Sequence, residues 1–266
     1  SRNFKNFEVD IRFINAPPDL VIASSGVGQQ TSGVYRSWLQ RGRTFAWSAS
    51  DQYVVAQTRV GNIIISSYAF PEHTSQQRDA LQVTANAVAL YSELFAPYPH
   101  PGLTAVEADF FDGMEYDGLY FLGREYYESH PNSPAGYLTA LSAHETAHQW
   151  WYGLVGNDAA WEPWLDEALC TYSERLYYER FHPELVRWWW EYRADRFKPK
   201  GWVNSTIYDQ QTFRAYVDAV YLRGAHFLED LRTLIGDEAF FATLKDYASQ
   251  NAGGIATGDE FFALLH

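Results

Sequence analysis

The sequence HETAH occupies residues 144–148, and Glu167 follows nineteen residues after its second histidine. In a helix, His144 and His148 lie one above the other on the same face, so their imidazoles can hold one metal ion. Glu145 then projects at a neighbouring angle, from which it can reach a water on the ion without binding the ion itself. Two histidines and one glutamate leave the fourth tetrahedral position of zinc open, as a catalytic site requires. The pattern predicts one zinc ion per chain, held by His144, His148 and Glu167.

The residues around this motif predict a helix from about Pro134 to Tyr152. Ser133 can cap its start, Pro134 suits its first turn, and Gly153 suits its end. Glu167 belongs to a second predicted helix, which runs from about residue 164 to residue 181. The ligands are therefore expected to come from two helices.

Two other interpretations of the motif compete with a zinc site. His-Glu-x-x-His also occurs by chance in helices, where the two histidines are hydrogen-bonded in a core, but a third ligand at a plausible spacing favours the metal. A metzincin site needs a glycine three residues and a histidine six residues after the second histidine, and these positions hold Trp151 and Leu154. The metzincin class is therefore excluded.

The composition is that of a globular protein with ample core, because 47% of its 266 residues are hydrophobic and 17% are aromatic. A formal net charge of −13 speaks against nucleic acid as a partner, since phosphate binding needs a basic surface. The same charge is compatible with amine-bearing ligands. The single cysteine, Cys170, excludes an internal disulfide and is expected to be a buried helix residue.

The compartment stays open. No stretch approaches the apolar length of a transmembrane helix, so we predict no transmembrane segment in this chain, and no signal peptide opens it. Both ends are expected to be cut from a larger polypeptide. The last segment stops at His266 within a helix that Thr257 and Glu260 are expected to cap.

Strands precede helices along the chain, which predicts an α+β catalytic unit. The first predicted strand alternates Phe7, Val9, Ile11 and Phe13 with mostly polar residues. Residues 26–33 are expected to form a loop, and strands 33–40 and 44–48 to pair with each other. The other predicted elements are strands 20–23, 54–60, 63–67, 103–108 and 113–122 and helices 73–95, 218–235 and 237–250, with one more from Pro183.

Four motifs in order resemble the gluzincin aminopeptidases of the aminopeptidase N (membrane alanyl aminopeptidase) type. In chain order they are GMEY from Gly113, HETAHQW from His144, WLDEA from Trp164 and VYLRGA from Val220. The first is similar to the family's Gly-x-Met-Glu-Asn motif, and the last is similar to its Tyr-x-Lys-Gly helix start. Together the motifs span about residues 109–225.

The resemblance implies a thermolysin-like zinc metallopeptidase catalytic domain, with a small sheet and a mainly helical part. Residues 1–66 would be the tail of a β-rich N-terminal domain, and residues 67–266 the catalytic domain. The family's helical C-terminal domain is expected to lie outside this chain, so the remaining domains of the full-length protein are expected partners.

The same resemblance assigns the roles of the site residues. Glu145 would take a proton from the attacking water and pass it to the leaving nitrogen. Tyr221 would stabilise the oxyanion, although Tyr216 lies five residues earlier in a chain with 19 tyrosines. Glu115 would bind the free α-ammonium of a peptide substrate, with main-chain groups of Gly113 and Met114 along the substrate. Tyr116 stands where the family has asparagine, so the backbone support of Glu115 can differ here.

Weaker candidates have ordinary structural alternatives. Glu174 could orient a ligating histidine or lie on a solvated face, and His226 is interpreted as a satisfied core histidine. Arg223 replaces a family lysine and could fix Tyr221 or meet a substrate carboxylate. The run Trp188-Trp189-Trp190 favours core or interface packing over sugar stacking.

The resulting hypothesis is a zinc aminopeptidase acting on peptides with free N-termini. An epoxide hydrolase of the same family would use the same zinc site. A catalytically silent zinc-binding module is the third possibility, and intact Glu145 and Tyr221 argue against it.

Overall fold

The computed structural model describes residues 5–12, 17, 19–31 and 34–265, with the backbone alone for residues 5–12 and Gln30. Phe13, the last apolar residue of the first predicted strand, lies outside the described residues. The chain folds into two compact units. The first comprises residues 5–89 and 98–149, and the second comprises residues 90–97 and 150–265. The domain boundary expected near residue 66 stays a prediction.

The strands of the described residues are β1 (Lys5–Arg12), β2 (Val21–Ser24), β3 (Val27–Thr31), β4 (Val34–Gly42), β5 (Trp47–Ser50), β6 (Val54–Val60), β7 (Ile63–Ala69), β8 (Gly102–Ala108), β9 (Gly113–Tyr116), β10 (Leu119–Gly123), β11 (Val155–Gly156) and β12 (Gly254–Ile255). The helices are α1 (Thr74–Leu94), α2 (Arg124–Glu128), α3 (Tyr137–Ala147), α4 (Trp164–Phe181), α5 (Val186–Trp188), α6 (Phe213–Tyr216), α7 (Arg223–Ile235), α8 (Asp237–Gln250) and α9 (Gly258–Phe262). A π-helical segment, Trp189–Ala194, continues α5, and another, Val217–Leu222, joins α6 to α7.

The first unit is built on a five-stranded mixed sheet with the strand order β6-β7-β8-β10-β9. The hairpin β6–β7 turns at Gly61-Asn62, as predicted, and α1 makes the crossover to β8, which runs parallel to β7. A core cluster joins Ala23 of β2 to Val106 of β8 and Leu119 of β10, so β2 packs against this sheet. β9 forms the edge of the sheet and is antiparallel to β10.

Two of the smaller sheets among the described residues, β1-β4-β3 and β2-β5, correct the predicted pairing of residues 33–40 with residues 44–48. β4 pairs with β1 and with β3, and β3 falls where a loop was expected, whereas β5 pairs with β2. The backbone N–H groups of Arg43 and Thr44 donate to the buried Asp117 carboxylate, so this segment cannot continue a hairpin with β4. A contact across about seventy residues of chain overrides the local pattern.

The second unit is mainly helical, with a core rich in large aromatic side chains. Trp151, Tyr178 and Phe240 are among its buried rings. Helices α4 and α8 match the predicted bounds, while the helix expected from residue 218 begins at Phe213. Thr257 and Glu260 form the predicted capping box at α9.

The α+β class expected from the sequence is confirmed by this mixture of sheets and helices. Among the described residues, no helix combines the length and the apolar character that crossing a membrane requires.

Candidate active site

Helix α3 carries the HETAH motif and is shorter than the predicted helix. It begins at Tyr137, because Gly136 is its N-cap and has an extended backbone (φ −155°, ψ 161°). The predicted cap was wrong: the Ser133 hydroxyl accepts a hydrogen bond from the Ala135 N–H at 3.2 Å, in a turn that precedes the helix. Residues 138–147 are all buried, so this part of α3 has no solvent-exposed face.

The helix ends at Ala147, five residues before the predicted end. His148 is the C-cap, and its N–H donates to the carbonyl of His144 at 3.2 Å. The Gln149 N–H then reaches back only three residues, to Thr146 at 3.1 Å, which tightens the last turn. The helical spacing of the two histidines is therefore kept, and Gln149 lies just beyond the end of the helix.

The two histidines lie side by side at the end of α3. Their ring centroids are 4.9 Å apart at an interplanar angle of 75°. His144 and His148 are 3% and 1% exposed, and Glu145 between them is 4% exposed. Adjacent buried imidazoles with a carboxylate nearby fit the donor chemistry of zinc.

Residues 113–122 form a hairpin, where one strand was predicted. Asp117-Gly118 makes the turn between β9 and β10, and Gly118 has a φ of +71° that favours glycine. The Asp-Gly pair is a strong hairpin signal, and it identifies the turn when given weight over the flanking apolar residues. Gly113, Met114 and Glu115 all belong to β9, the edge strand.

The hairpin brings its predicted substrate-binding residues to α3. A Cβ added to Gly113 would lie 2.1 Å from Oε1 of Glu145, so only glycine leaves room for this carboxylate. Glu115, Glu145 and His148 offer ligand atoms within 4.8 Å of one another. Met114 alternates to the opposite side of the strand and is 39% exposed. The first unit thus assembles one histidine of the motif with both predicted carboxylates.

Tyr120 on β10 is a buried tyrosine next to Glu115 and Glu145. It pairs with Glu115 in the β9–β10 register, and its hydroxyl lies 2.6 Å from that of Thr84 on α1. Burial raises the pKa of Tyr120 to about 12, and the nearby Glu145 carboxylate adds to the shift. Tyr120 therefore stays a neutral hydrogen-bonding anchor at physiological pH.

Glu167 and Tyr221 belong to the second unit. Glu167 lies in the first turn of α4 beside the buried Asp166, where the helix dipole favours carboxylates. Tyr221 lies in the π-helical segment 217–222, and its ring meets Tyr216 edge-on at 5.6 Å. Such π-helical turns occur frequently at functional sites.

A glycine sets the packing of α7 on α4 next to these residues. A Cβ on Gly224 would lie 2.4 Å from the Cβ of Ala168, a separation that real side chains do not tolerate. The glycine that follows Tyr221 and Arg223 in the motif therefore lets the two helix backbones approach closely.

The weaker candidates have structural partners. The Glu174 carboxylate is fully buried and accepts from Arg193 at 2.7 and 2.9 Å and from the Trp189 indole at 3.0 Å, so the solvated alternative was wrong. His226 is half-buried, not a core residue, and pairs with Asp195 at 2.7 Å. Trp189 is a packing residue, as expected for this run.

Two residues near the site were not assigned a role from the sequence. Asp117 and Gln149 are buried polar residues whose partners include backbone groups distant in the chain. Gln149 was visible only as part of the HETAHQW match, because no local pattern indicates what a buried amide binds.

Comparison with known proteins places the chain in a peptidase family. Residues 79–266 match the model of the peptidase family M1 domain. Since this match covers most of the sequence, the chain belongs to peptidase family M1.

Similar proteins from distant organisms carry aminopeptidase names. The chain is 28% identical over 230 residues to aminopeptidase M1-D of Oryza sativa subsp. japonica, which covers 80% of this chain and 26% of that protein. It is 28% identical over 221 residues to aminopeptidase N of Lactobacillus delbrueckii subsp. lactis, and the match covers 76% of this chain and 26% of that protein. It is also 27% identical over 223 residues to human endoplasmic reticulum aminopeptidase 1, and the match covers 78% of this chain and 24% of that protein. The chain spans about a quarter of the length of these relatives.

Proposed function

We propose that this chain is the catalytic part of a zinc-dependent aminopeptidase that removes N-terminal residues from peptides. Its membership of peptidase family M1 and the names of its relatives support a peptidase of this kind. The α+β fold is compatible with a thermolysin-like catalytic domain. The expected partners are a peptide with a free N-terminus and the remaining domains of the full-length protein, and nucleic acid is not expected.

One observation carries the proposal: the Glu115 carboxylate lies beside Glu145 and His148, with ligand atoms within 4.8 Å of one another. Two carboxylates that converge in a mostly buried place attract a cation, because the low dielectric strengthens the charge interaction. A substrate α-ammonium is such a cation. Bound at a fixed distance from the catalytic helix, it would present the first peptide bond for cleavage.

His144, His148 and Glu167 are the proposed metal ligands. A zinc ion held by this set would polarise the scissile carbonyl and lower the pKa of a coordinated water toward ~7. Support comes from the two adjacent buried imidazoles at the end of α3 and from the position of Glu167 in the first turn of α4.

The proton-transfer role falls to Glu145, which is buried against the side-chain-free Gly113. Its carboxylate would take the proton of the attacking water and deliver it to the leaving amine. The Tyr221 hydroxyl would donate a hydrogen bond to the developing oxyanion.

Hydrolysis of a panel of aminoacyl-arylamides by the intact gene product tests the proposal, together with analysis of bound metal. We expect one zinc per chain, turnover of free-amine substrates, and loss of turnover with a chelator. Glu145→Gln should lower kcat by about 10²–10⁴-fold, the usual contribution of general acid–base catalysis, while retaining zinc. Glu238→Gln, at an exposed position on α8, is the matched control. Bound zinc without turnover of any substrate would contradict the proposal.

A further inference from the structure

The side chain of Gln149 bridges the end of α3 and the β9–β10 turn. Its Nε2 donates to the carbonyl of Tyr116 at 2.9 Å, and its Oε1 accepts from the N–H of Gly118 at 2.8 Å. The Tyr98 hydroxyl, which donates to the carbonyl of Gly102 at 3.0 Å, also lies 3.4 Å from this Oε1. A carbonyl needs a donor and an N–H needs an acceptor, and the Gln149 amide in this orientation satisfies both turn groups.

The opposite side of the turn is also fixed. Oδ2 of Asp117 accepts from the N–H groups of Arg43 and Thr44, both at 2.8 Å, and from the Thr44 hydroxyl at 2.9 Å. The Asp117 N–H donates back to the Thr44 Oγ1 at 3.2 Å. Gly118 lies so close to Gly26 that a Cβ would approach its nitrogen to 2.9 Å. Three successive turn residues are thus held by groups outside the hairpin.

We infer that Gln149 is a positioning residue that fixes the distance between Glu115 and the catalytic helix, and thereby the choice of the first peptide bond. The inference rests on the proposed function. Gln149 follows His148 directly, and the carbonyl it binds belongs to the residue after Glu115. β9 is a four-residue edge strand paired on one side with β10, and Gln149 joins the residue after Glu115 directly to the end of α3 by a side-chain hydrogen bond.

The Gln149 hydrogen bonds explain how the backbone next to Glu115 is supported although Tyr116 replaces the family's asparagine. The Tyr116 ring packs edge-on against Phe121 at 5.9 Å, so its side chain belongs to the packing of the hairpin. The backbone next to Glu115 is supported by Gln149 instead. A tyrosine can therefore occupy this position without releasing the carboxylate.

Gln149→Met in the intact gene product tests the inference, because methionine keeps the length and removes both hydrogen bonds. We expect KM for aminoacyl-arylamides to rise about tenfold or more with a smaller change in kcat, the signature of lost substrate binding. Discrimination against N-acetylated substrates should fall by a similar factor. Hydrogen exchange of residues 113–123 should accelerate, because the Gly118 N–H loses its acceptor.

Gln77→Met is the matched control. Gln77 on α1 is 2% exposed, like Gln149 at 1%, and its Nε2 donates to the carbonyls of Val54 and Ser67 at 2.8 Å each. It should lower thermal stability and accelerate exchange in β6 and β7 while leaving KM and discrimination unchanged.

The outcomes separate the inference from the proposed function. Absence of turnover in the wild-type protein contradicts the proposed function. An active wild type with an unchanged KM in Gln149→Met contradicts the inference alone, as does unchanged exchange of residues 113–123. An equal rise in KM for Gln77→Met would also overturn it, since the effect would then be general destabilisation.

Discussion

At the residue scale, Gly113 shows how a missing side chain makes room for chemistry. The space next to its Cα is occupied by the Glu145 carboxylate. A motif comparison identifies this glycine without explaining it, because the contact joins residues 32 positions apart. The structure supplies the reason, which is steric.

Gly113→Ala should therefore displace the Glu145 carboxylate. A misplacement of about 1 Å typically costs on the order of 10²-fold in rate, and we expect kcat to fall by about that factor. Steady-state kinetics on an aminoacyl-arylamide would measure it. Gly254→Ala is the control, because its Cβ would meet nothing closer than 3.4 Å. A kcat within twofold of wild type in Gly113→Ala would contradict the steric argument.

Tyr221 and Tyr216 lie edge-to-face in the second unit, and the sequence alone left both as candidates for the oxyanion donor. Tyr221→Phe should lower kcat by about 10²–10³-fold, the usual cost of losing an oxyanion donor. Tyr216→Phe, the paired control, should leave kcat nearly unchanged. The reverse result would move the assignment to Tyr216.

At the element scale, local pattern was sufficient where an element is defined by its own residues. Helices α4 and α8 and the hairpin β6–β7 have the predicted bounds or nearly so, because periodicity and turn residues lie within them. Pattern failed for α3 and β5. Helix α3 ends early in a tight final turn. Strand β5 pairs with β2, because the residues before it bind Asp117.

The contact of α7 with α4 gives a prediction at this scale. Gly→Ala in a helix normally stabilises by about 1 kcal/mol through propensity. Gly224→Ala should instead destabilise by roughly 1–3 kcal/mol, because its Cβ would lie 2.4 Å from the Cβ of Ala168. Urea unfolding of the single variant would measure the change in free energy. The double variant Gly224→Ala with Ala168→Gly should recover most of the loss, and a failure to recover would argue against this contact as the cause.

At the scale of the whole molecule, buried titratable groups link stability to pH. His100 is 4% exposed, its Nδ1 lacks a hydrogen-bond partner among the described residues, and burial lowers its pKa from 6.5 to about 4. The His100 side chain is therefore protonated near pH 6.5 in the unfolded chain, but only near pH 4 in the folded protein. The free energy of unfolding is therefore unaffected by His100 above pH 6.5, and it decreases as the pH falls from 6.5 to about 4.

His100→Phe should consequently flatten the acid side of the stability profile. The full effect of the pKa difference is roughly 3 kcal/mol, at about 1.4 kcal/mol per pKa unit. Melting temperatures of wild type and variant between pH 7.5 and pH 4.5 would measure it. Parallel profiles for the two proteins would assign the acid sensitivity to other groups.

The sequence by itself determined the α+β class, most helices and the family, because composition, periodicity and motif spacing are properties of consecutive residues. It also indicated which side chains are chemically suited to the proposed site. Only the tertiary structure decided how those side chains are held. Glu145 fits because Gly113 has no side chain, and the hairpin of Glu115 is fixed by Gln149 and by the bond of Asp117 to Thr44. The Gln149 and Asp117 hydrogen bonds satisfy backbone groups across long chain separations, and no local pattern encodes such a pairing.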